Sequence, residues 1–167
     1  MRSRSAGTQQ AKGEAKGPRL LISNRKAFHE YHILETVEAG VALTGTEVKS
    51  SRAGRVNLRE GYARIEGGEA WLHNVHIAQY DQGNRYNHEP TRARKLLLHR
   101  GELSRLAAKS RESGCTLVPL KLYDKHGKLK VEIGLARGKR QYDKRAAIAR
   151  RETQREIDRE LKVKSEE

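Results

Sequence analysis

The sequence has a single cysteine, Cys115, no long apolar run and few aromatic residues. A lone cysteine excludes an internal disulfide and a zinc site built from cysteines. No stretch approaches the roughly 18 consecutive apolar residues of a membrane-spanning helix, and the first residues lack the apolar core of a signal peptide. We therefore expect a cytoplasmic protein that does not span a membrane.

Positive charge is what the chain has in excess. Its 167 residues include 35 Lys and Arg against 21 Asp and Glu, which gives a net charge of +14. Such a charge favours a nucleic-acid partner, because each phosphate that is neutralised releases condensed counterions. A basic protein bound to a membrane surface is the alternative, but no segment pairs a strong apolar face with a basic one.

Composition divides the chain into three parts: a basic arm (residues 1–19), a globular domain (residues 20–137) and a basic tail (residues 138–167). The tail has ten basic residues, seven acidic ones and only four large aliphatics. It cannot bury enough apolar surface to offset roughly 1–2 kcal/mol of ordering entropy per residue. We expect the tail to be mobile alone and to fold into a helix on a polyanion. A packed domain followed by such a tail points to RNA.

Alternation of apolar and polar residues predicts several short antiparallel strands. Residues 31–43 read as one long strand or as two strands joined at a bend, with a bulge expected at Ala39-Gly40. Residues 62–66 and 70–77 form a pair hinged at Gly67-Gly68, with Trp71, Val75 and Ile77 on one face. The clearest hairpin pairs 116–122, where Thr116, Val118, Leu120 and Leu122 alternate inward, with 129–135 around a turn at 124–127.

Two helices are predicted between these strands. Thr44 and Glu47 have capping-box spacing and open a short helix that ends at Gly54. Leu103, Leu106 and Ala107 form the buried stripe of a second helix, which ends before Gly114. The fold is therefore expected to be mainly β, a small closed antiparallel barrel with peripheral helices. The pattern alone leaves an open α+β sheet as the alternative.

No motif predicts catalysis, a metal site or a cofactor site. Lys49-Ser50 resembles the end of a phosphate-binding loop, but the required glycine is absent. His73 and His76 leave opposite faces of a strand. The carboxylates Glu38, Glu47 and Glu60 have no spacing that forces them together as an acid/base pair. We expect the protein not to be an enzyme, although an RNA-processing enzyme using His and Glu is an alternative.

Basic residues of the domain fall into three clusters. Asn24-Arg25-Lys26 precedes the first long strand, Lys49 and Arg52 are expected to share a helix face, and Arg92, Arg94 and Lys95 close a long polar connection. If folding brings these clusters to one side, they form a surface that contacts phosphates. The alternative is solubilising charge scattered over the surface.

The tail holds one aromatic residue among its basic side chains. Tyr142 lies in the strongly basic stretch that ends at Arg150 and Arg151, where a planar ring can stack on nucleobases. Further along, Ile157 and Leu161 form an apolar pair four residues apart, enough to anchor one contact.

Several short motifs together resemble the SmpB family of bacterial SsrA-binding (tmRNA-binding) proteins, over about residues 22–151. The motifs are Asn24-Arg25-Lys26-Ala27, Glu38-Ala39-Gly40, the run from Leu43 to Ser50, Arg52-Ala53-Gly54, Pro90-Thr91-Arg92, the run from Arg94 to Leu98, Gly138-Lys139 and Asp143-Lys144-Arg145.

This resemblance implies a cytoplasmic, non-enzymatic factor of trans-translation with an oligonucleotide-binding-type β-barrel. It would grip the tRNA-like half of tmRNA and travel with alanyl-tmRNA, elongation factor Tu and GTP to a stalled ribosome. Its tail would fold as a helix in the empty mRNA channel past the decoding centre, and the nascent peptide would gain a degradation tag. We expect it to act as a monomer without cofactors.

The resemblance also implies roles for residues at matching positions. Asn24, Glu38 and Leu97 fall on the tmRNA-binding face, where Asn24 would bond the RNA directly and Glu38 would accept from base or ribose donors. By the charge argument, Lys49, Arg92, Arg94 and Lys95 would contact phosphates. The tail positions at the decoding centre are Lys139, Arg140, Tyr142, Asp143, Lys144 and Arg145. Family members often have His where Tyr142 stands, so a proton-dependent role would be lost here.

A general single-strand-binding barrel is the alternative function. That class depends on several exposed aromatic rings as stacking platforms. This chain has one Phe, one Trp and six Tyr, some of which the core requires.

Overall fold

The computed structural model describes residues 17–83, 85, 87–112 and 114–165. Its strands are β1 (Arg19–Ser23), β2 (Tyr31–Val41), β3 (Val56–Asn57), β4 (Tyr62–Glu66), β5 (Glu69–His73), β6 (His76–Ile77), β7 (Arg94–Leu97), β8 (Cys115–Lys125) and β9 (Lys128–Gly138). Its helices are α1 (Arg25–Glu30), α2 (Gly45–Arg52), α3 (Arg100–Ser110) and α4 (Gln141–Ser165).

Seven of the strands form one antiparallel sheet that closes on itself. The order is β1-β8-β4-β5-β7-β2-β9, and β9 pairs back onto β8. The remaining two, β3 and β6, pair with each other. The predicted closed barrel with peripheral helices is therefore confirmed, and the open α+β sheet is wrong.

Both predicted hairpins are present, and their turns explain their short loops. Gly67 and Gly68 have φ of 58° and 77° between β4 and β5, and His126 and Gly127 have 53° and 78° between β8 and β9. Two successive residues with positive φ match the right-handed twist of the flanking strands, which makes this the favoured two-residue hairpin.

The bulge in β2 lies near the start of the strand, so its predicted position at Ala39-Gly40 is wrong. Ala39 and Gly40 pair regularly with β9, whereas the register shifts between Ile33 and Glu35. The backbone at Gly40 does approach the neighbouring strand closely. A Cβ on Gly40 would lie 3.2 Å from the Cβ of Leu97 on the neighbouring strand β7.

A second register shift in β8, between Pro119 and Lys121, combines with the first to create two apolar clusters. An extra residue moves the side chains beyond it to the other face of the sheet. The larger cluster fills the barrel and includes Val37, Ala39, Leu117, Leu122, Val131, Ile133 and Leu135. The smaller one lies under α1 and includes Ala27, Val118, Leu120 and Ala136, with Phe28, Tyr31 and Ile33 against it.

Because of these two bulges, the predicted inward-facing sets of β2 and β8 are partly wrong. Tyr31 and Ile33 pack in the smaller cluster, whereas Val37 and Ala39 on the same strand pack inside the barrel. In β8, likewise, Val118 and Leu120 lie under α1, so of the three apolar residues predicted to alternate inward only Leu122 packs in the barrel cluster. Apolar residues on both faces of a strand hide the point at which the alternation changes.

The predicted apolar face of β5 is also wrong. Ala70 and Leu72 are the buried residues of that strand, and Trp71 is half-buried. Asn74 has a φ of 56°, which interrupts the strand. As a result, Val75 and Ile77 are buried, although strict alternation would place them on the same face as the half-buried Trp71.

The two predicted helices are confirmed with small differences in their ends. Helix α2 follows Thr44, whose N–H donates to the Glu47 carboxylate at 2.7 Å, and Gly54 has a φ of 75° just beyond it. Helix α3 buries Leu106. It also explains the polar residue within β2, because Glu35 forms ion pairs with Arg105 and Lys109 of α3 at 2.8 and 2.6 Å.

Helix α4 is the tail, and its described side chains, including Ile148 and Ile157, are exposed. Its root is fixed to the domain, since the Lys139 N–H donates to the Glu30 carbonyl at 2.8 Å and its Nζ to the Phe28 carbonyl at 3.2 Å. The tail is helical in this structure, whereas the prediction made its helix conditional on binding. The domain boundaries and the coupling of tail folding to binding stay predictions.

Candidate nucleic-acid interface

Glu38 stands on the outer face of β2 and is held by two side chains from β8. The Tyr123 hydroxyl donates to its carboxylate at 2.5 Å, and the Lys125 ammonium lies 3.0 and 3.2 Å from its two oxygens. The hydrogen bonds from Tyr123 and then Lys125 hold the pKa of Glu38 below its ordinary value. The carboxylate is therefore ionised and still half-exposed, so it can accept further hydrogen bonds.

Glu38 lines a shallow groove of about 400 Å³ that we call the Glu38 groove. The other lining residues are Pro18, Leu20, Lys121, Tyr123, Lys125 and Glu132. The groove combines lysines with apolar surface, since the Leu20 side chain is 56% exposed. This mixture suits the phosphates and the sugar or base faces of a nucleic acid.

A second depression adjoins the groove, and Leu97 forms part of its wall. This Leu97 pocket has a volume of about 270 Å³ and includes Gly40, Val48, Lys128 and Lys130. Gly40 is two residues after Glu38 on the same face of β2, and it pairs with Lys130 of β9. Glu38 and Leu97 are thus brought to one surface, and their contact with RNA stays a prediction.

Lysines from alternate positions of the β8–β9 hairpin surround both depressions. Arg52 joins them from α2, where its guanidinium donates to Asp124 and to the Gly127 carbonyl, both at 3.0 Å. We call this combined surface the hairpin face: Glu38, Arg52, Leu97, Lys121, Tyr123, Lys125, Lys128 and Lys130.

The lysines and Tyr123 of the hairpin face were missed by sequence reasoning, although the sequence held a signal for them. They occupy the polar positions between the buried Leu122, Leu129 and Val131. In a hairpin with one buried face, such positions point outward together.

Asn24 is a structural residue, so its predicted direct bond to RNA is wrong. Its side chain is buried and donates to the carbonyls of Leu58 and Pro119 at 3.0 and 2.9 Å. Its amide oxygen accepts from the Ala27 N–H at 3.1 Å, which caps α1. These bonds engage both ends of the amide within the fold.

Arg94 cannot contact phosphate as predicted, because it is fully buried beside the buried Glu47. Its Nε donates to Glu47 at 2.8 Å and its Nη1 to the Val75 carbonyl at 2.7 Å. Arg92 pairs with the same carboxylate at 2.5 Å while remaining partly exposed. A guanidinium pair around one buried carboxylate is a core interaction, and sequence reasoning missed the role of Glu47.

The other predicted cations do not line the Glu38 groove or the Leu97 pocket. Lys26 pairs with Glu60 at 2.6 Å and lines a different cavity, and Lys95 pairs with Glu69. Lys49 lies 5.4 Å from the centre of the Tyr80 ring and stands three residues before Arg52 on α2, the spacing of a shared helix face. Arg25 is exposed at the start of α1. The three predicted clusters therefore do not line one groove of the described structure, and contact of their exposed cations with phosphates stays a prediction.

The tail residues are partly described. Arg145, Arg150, Arg151 and Ile157 are exposed on α4, Arg140 is exposed just before it and Lys139 holds its root. The side chains of Tyr142, Asp143, Lys144 and Leu161 lie outside the described part of the structure. The role assigned to this segment stays a prediction.

Two findings concern other kinds of site. Among the described residues, no group of three or more His, Cys, Asp or Glu side chains could hold a metal ion. No helix in that same part of the chain is long and apolar enough to cross a membrane.

Comparison with known proteins gives consistent matches. The family model described as SmpB protein matches residues 21–163. The SsrA-binding protein of Carboxydothermus hydrogenoformans is 60% identical over 146 residues, covering 87% of this chain and 98% of that protein. The SsrA-binding protein of Roseiflexus castenholzii is 63% identical over 148 residues, with 88% and 94% covered.

A solved structure described as "tmRNA-SmpB: a journey to the center of the bacterial ribosome" contains a similar chain. It aligns with a TM-score of 0.63 and 53% identity, covering 76% of this chain and 93% of that one. The family match extends from β1 into α4 and so includes the hairpin face. The chain belongs to the SmpB family.

Proposed function

We propose that this protein binds tmRNA and works with it on the ribosome in trans-translation. The observation that carries the proposal is the hairpin face of a chain that belongs to the SmpB family. Relatives 60% and 63% identical are SsrA-binding proteins, and a similar solved chain is described with tmRNA and the bacterial ribosome.

The chemistry of the hairpin face fits a folded RNA better than a flexible single strand. Glu38 offers a fixed anionic acceptor for base or ribose donors. Because its carboxylate repels phosphates, an RNA fits here only where it places a hydrogen-bond donor opposite Glu38. The surrounding lysines attract phosphates, and Leu20 and Leu97 offer apolar contact. Recognition by shape with a few polar contacts is typical of proteins that bind structured RNA.

The tail supplies a second activity in this proposal. Helix α4 presents exposed arginines such as Arg145, Arg150 and Arg151. A cationic helix and an mRNA compete for the same phosphate-lined channel, so the helix would occupy it only when mRNA is absent. The tail would thereby detect a stalled ribosome and allow the tmRNA reading frame to be used, which adds a degradation tag to the nascent peptide.

The finer parts of the proposal follow from those partners. The protein would act in the cytoplasm as a monomer and without catalysis. It would reach the ribosome with alanyl-tmRNA, elongation factor Tu and GTP.

Relative affinity for three RNAs tests the proposal. The Kd would be measured for the tRNA-like half of tmRNA, for an ordinary tRNA and for an unstructured single strand, at about 0.15 M salt. We expect the tRNA-like half to bind at least about tenfold more tightly than either. Equal binding of the unstructured strand would favour the general single-strand-binding alternative.

A further inference from the structure

The hydrogen bond between Tyr123 and Glu38 crosses a whole strand. Glu38 stands on β2 and Tyr123 on β8, and β9 pairs with both of these strands and lies between them. The bond therefore joins two strands that are roughly 10 Å apart, or two strand spacings. Side chains of a strand usually stand perpendicular to the sheet. Here the two side chains lean toward each other across β9, which brings the Tyr123 hydroxyl 2.5 Å from the carboxylate.

Glu38 requires such a restraint because a second carboxylate lies directly opposite it. Glu132 of β9 is its cross-strand partner, and both residues line the Glu38 groove. Like charges in directly opposite positions repel each other and destabilise the pairing of two strands. Lys121 lies 3.2 Å from Glu132 and compensates part of this repulsion. Without partners of its own, the Glu38 carboxylate would turn away from Glu132.

Tyr123 and Lys125 share the two oxygens of Glu38 unequally. Oε2 accepts from the Tyr123 hydroxyl at 2.5 Å and from Lys125 Nζ at 3.0 Å, whereas Oε1 accepts from Lys125 Nζ at 3.2 Å. Oε1 is therefore the oxygen with more acceptor capacity left for a ligand. A hydroxyl bond is short and directional, and an ammonium group on its flexible stem is not. Tyr123 is thus the partner that fixes the direction in which Oε1 faces.

The same contacts set the charge of the arrangement. The hydrogen bonds from Tyr123 and then Lys125 lower the pKa of Glu38. Burial and the bond to Glu38 raise the pKa of Tyr123, so its hydroxyl remains a donor at neutral pH. The titratable groups that face Glu38 are Lys121, Tyr123 and Lys125 of β8 and Lys130 and Glu132 of β9. Tyr123 is the neutral member of this set, so removing its hydroxyl changes the geometry of the groove and leaves its charge intact.

We propose that Tyr123 is a positioning residue of the RNA site, which holds Oε2 of Glu38 and thereby presents Oε1 to a hydrogen-bond donor of the bound RNA. The inference rests on the proposed function. A carboxylate that is already held in one direction loses less side-chain freedom when it binds a ligand. Tyr123 acts through Glu38 and does not itself have to contact the RNA.

Tyr123→Phe tests the inference, because it removes one hydroxyl and keeps the ring and every charge. We expect the Kd for the tRNA-like half of tmRNA at pH 7 to rise about five- to twentyfold. The slope of log Kd against log salt should stay unchanged, since no charge that could contact phosphate is lost. Acidification weakens binding by protonating Glu38, and the midpoint of this loss should move to higher pH because the largest cause of the lowered pKa is gone.

Two controls separate positioning from other effects. Tyr80→Phe also removes a hydroxyl with a side-chain partner, Gln82, but Tyr80 does not line the groove, so the Kd and the midpoint should not change. In a Glu38→Ala background, Tyr123→Phe should change the Kd less than about twofold, because the residue through which it acts is missing. A full effect in that background, or no effect in the presence of Glu38, would overturn the inference.

An NMR titration of the Glu38 side-chain carboxyl in the free protein gives a second readout that requires no RNA. Its midpoint should lie at higher pH in Tyr123→Phe than in the wild-type protein and should not move in Tyr80→Phe. Equal midpoints in all three proteins would contradict the role of Tyr123. Failure of the wild-type protein to prefer the tRNA-like half of tmRNA would instead overturn the proposed function, and this titration distinguishes the two failures.

Discussion

The Glu47 carboxylate holds two arginines and the start of a helix at the same time. It accepts from Arg92 and Arg94 and from the Thr44 N–H, while fully buried. Burial raises the pKa of Glu47, but the hydrogen bonds from Arg92 and Thr44 and the charge of Arg94 outweigh it. The pKa is therefore below its ordinary value, and the pair joins α2 to β7.

Replacing Glu47 by Gln should lower the free energy of unfolding by about 3–5 kcal/mol at pH 7, because Arg94 would keep a buried charge without its carboxylate. Since the folded-state pKa is lowered, this contribution is complete above the unfolded value of about 4.3 and is lost as the pH falls below it. Urea unfolding at pH 7 and at pH 4 measures both effects.

The exposed ion pair of Glu60 with Lys26 provides the control for Glu47. Glu60→Gln should cost no more than about 1 kcal/mol, as is usual for surface pairs. A Glu47→Gln variant as stable as this control, or a difference from wild type that grows on acidification, would show that the Glu47 network does not stabilise the fold.

Glu38→Ala should weaken binding of the tRNA-like half of tmRNA by roughly 10–100-fold, the value of a hydrogen bond to a charged group (about 1.5–3 kcal/mol). The substitution removes a hydrogen-bond acceptor for the RNA, and Tyr123 and Lys125 lose the carboxylate to which they donate. Filter binding measures the Kd. Glu66→Ala removes an exposed carboxylate paired with Arg64 at 3.3 Å on β4 and should leave binding unchanged. Loss of the cooperative melting transition in the Glu38 variant would assign Glu38 to structure instead.

The residue scale also shows what sequence reasoning can and cannot reach. Glu38 and Leu97 were placed by family resemblance and do share one surface. Asn24 was placed by the same resemblance, but its amide is used inside the fold. A polar residue at a matched position can form hydrogen bonds to a ligand or to the protein's own backbone. For Asn24, only the packing of β8 and α1 around the side chain shows which of the two it does.

At the scale of elements, hairpins were predictable and bulges were not. The β8–β9 hairpin follows from strict alternation around one turn, and both its strands are eleven residues long. The bulges after Ile33 and Pro119 are hidden because α1 covers the outer face there. Apolar residues then occur on both faces, and the sequence no longer marks the change of side.

The barrel and the tail are joined in a way that allows them to be separated experimentally. Lys139 is anchored to α1, so a chain that ends after Arg140 keeps this contact. Such a truncation should change the Kd for tmRNA less than about threefold and leave the melting temperature unchanged, because the described side chains of α4 are exposed. It should abolish peptide tagging on stalled ribosomes, measured in a reconstituted translation reaction.

A comparable loss of RNA binding and tagging in that truncation would contradict the division between barrel and tail. A full-length chain with Lys144→Ala and Arg145→Ala is the matched variant. It should reduce tagging and the salt sensitivity of ribosome association together, while tmRNA binding persists.

At the scale of the whole molecule, charge and rigidity are distributed unequally. The closed barrel fixes the hairpin face, with Glu38 held from two sides. The net charge of +14 is spread over the domain, the arm and the tail. A rigid surface can recognise the shape of a folded RNA, whereas a basic segment with little apolar surface gains order only from a polyanion. The two parts therefore suit different RNA partners.

Amide chemical shifts of the labelled protein during titration with the tRNA-like half of tmRNA test the central claim most directly. The claim predicts the largest changes at Glu38, Leu97, Tyr123 and the lysines of the hairpin face. Changes concentrated instead around the Lys26–Glu60 cavity or the β4–β5 hairpin, with the hairpin face unaffected, would contradict it.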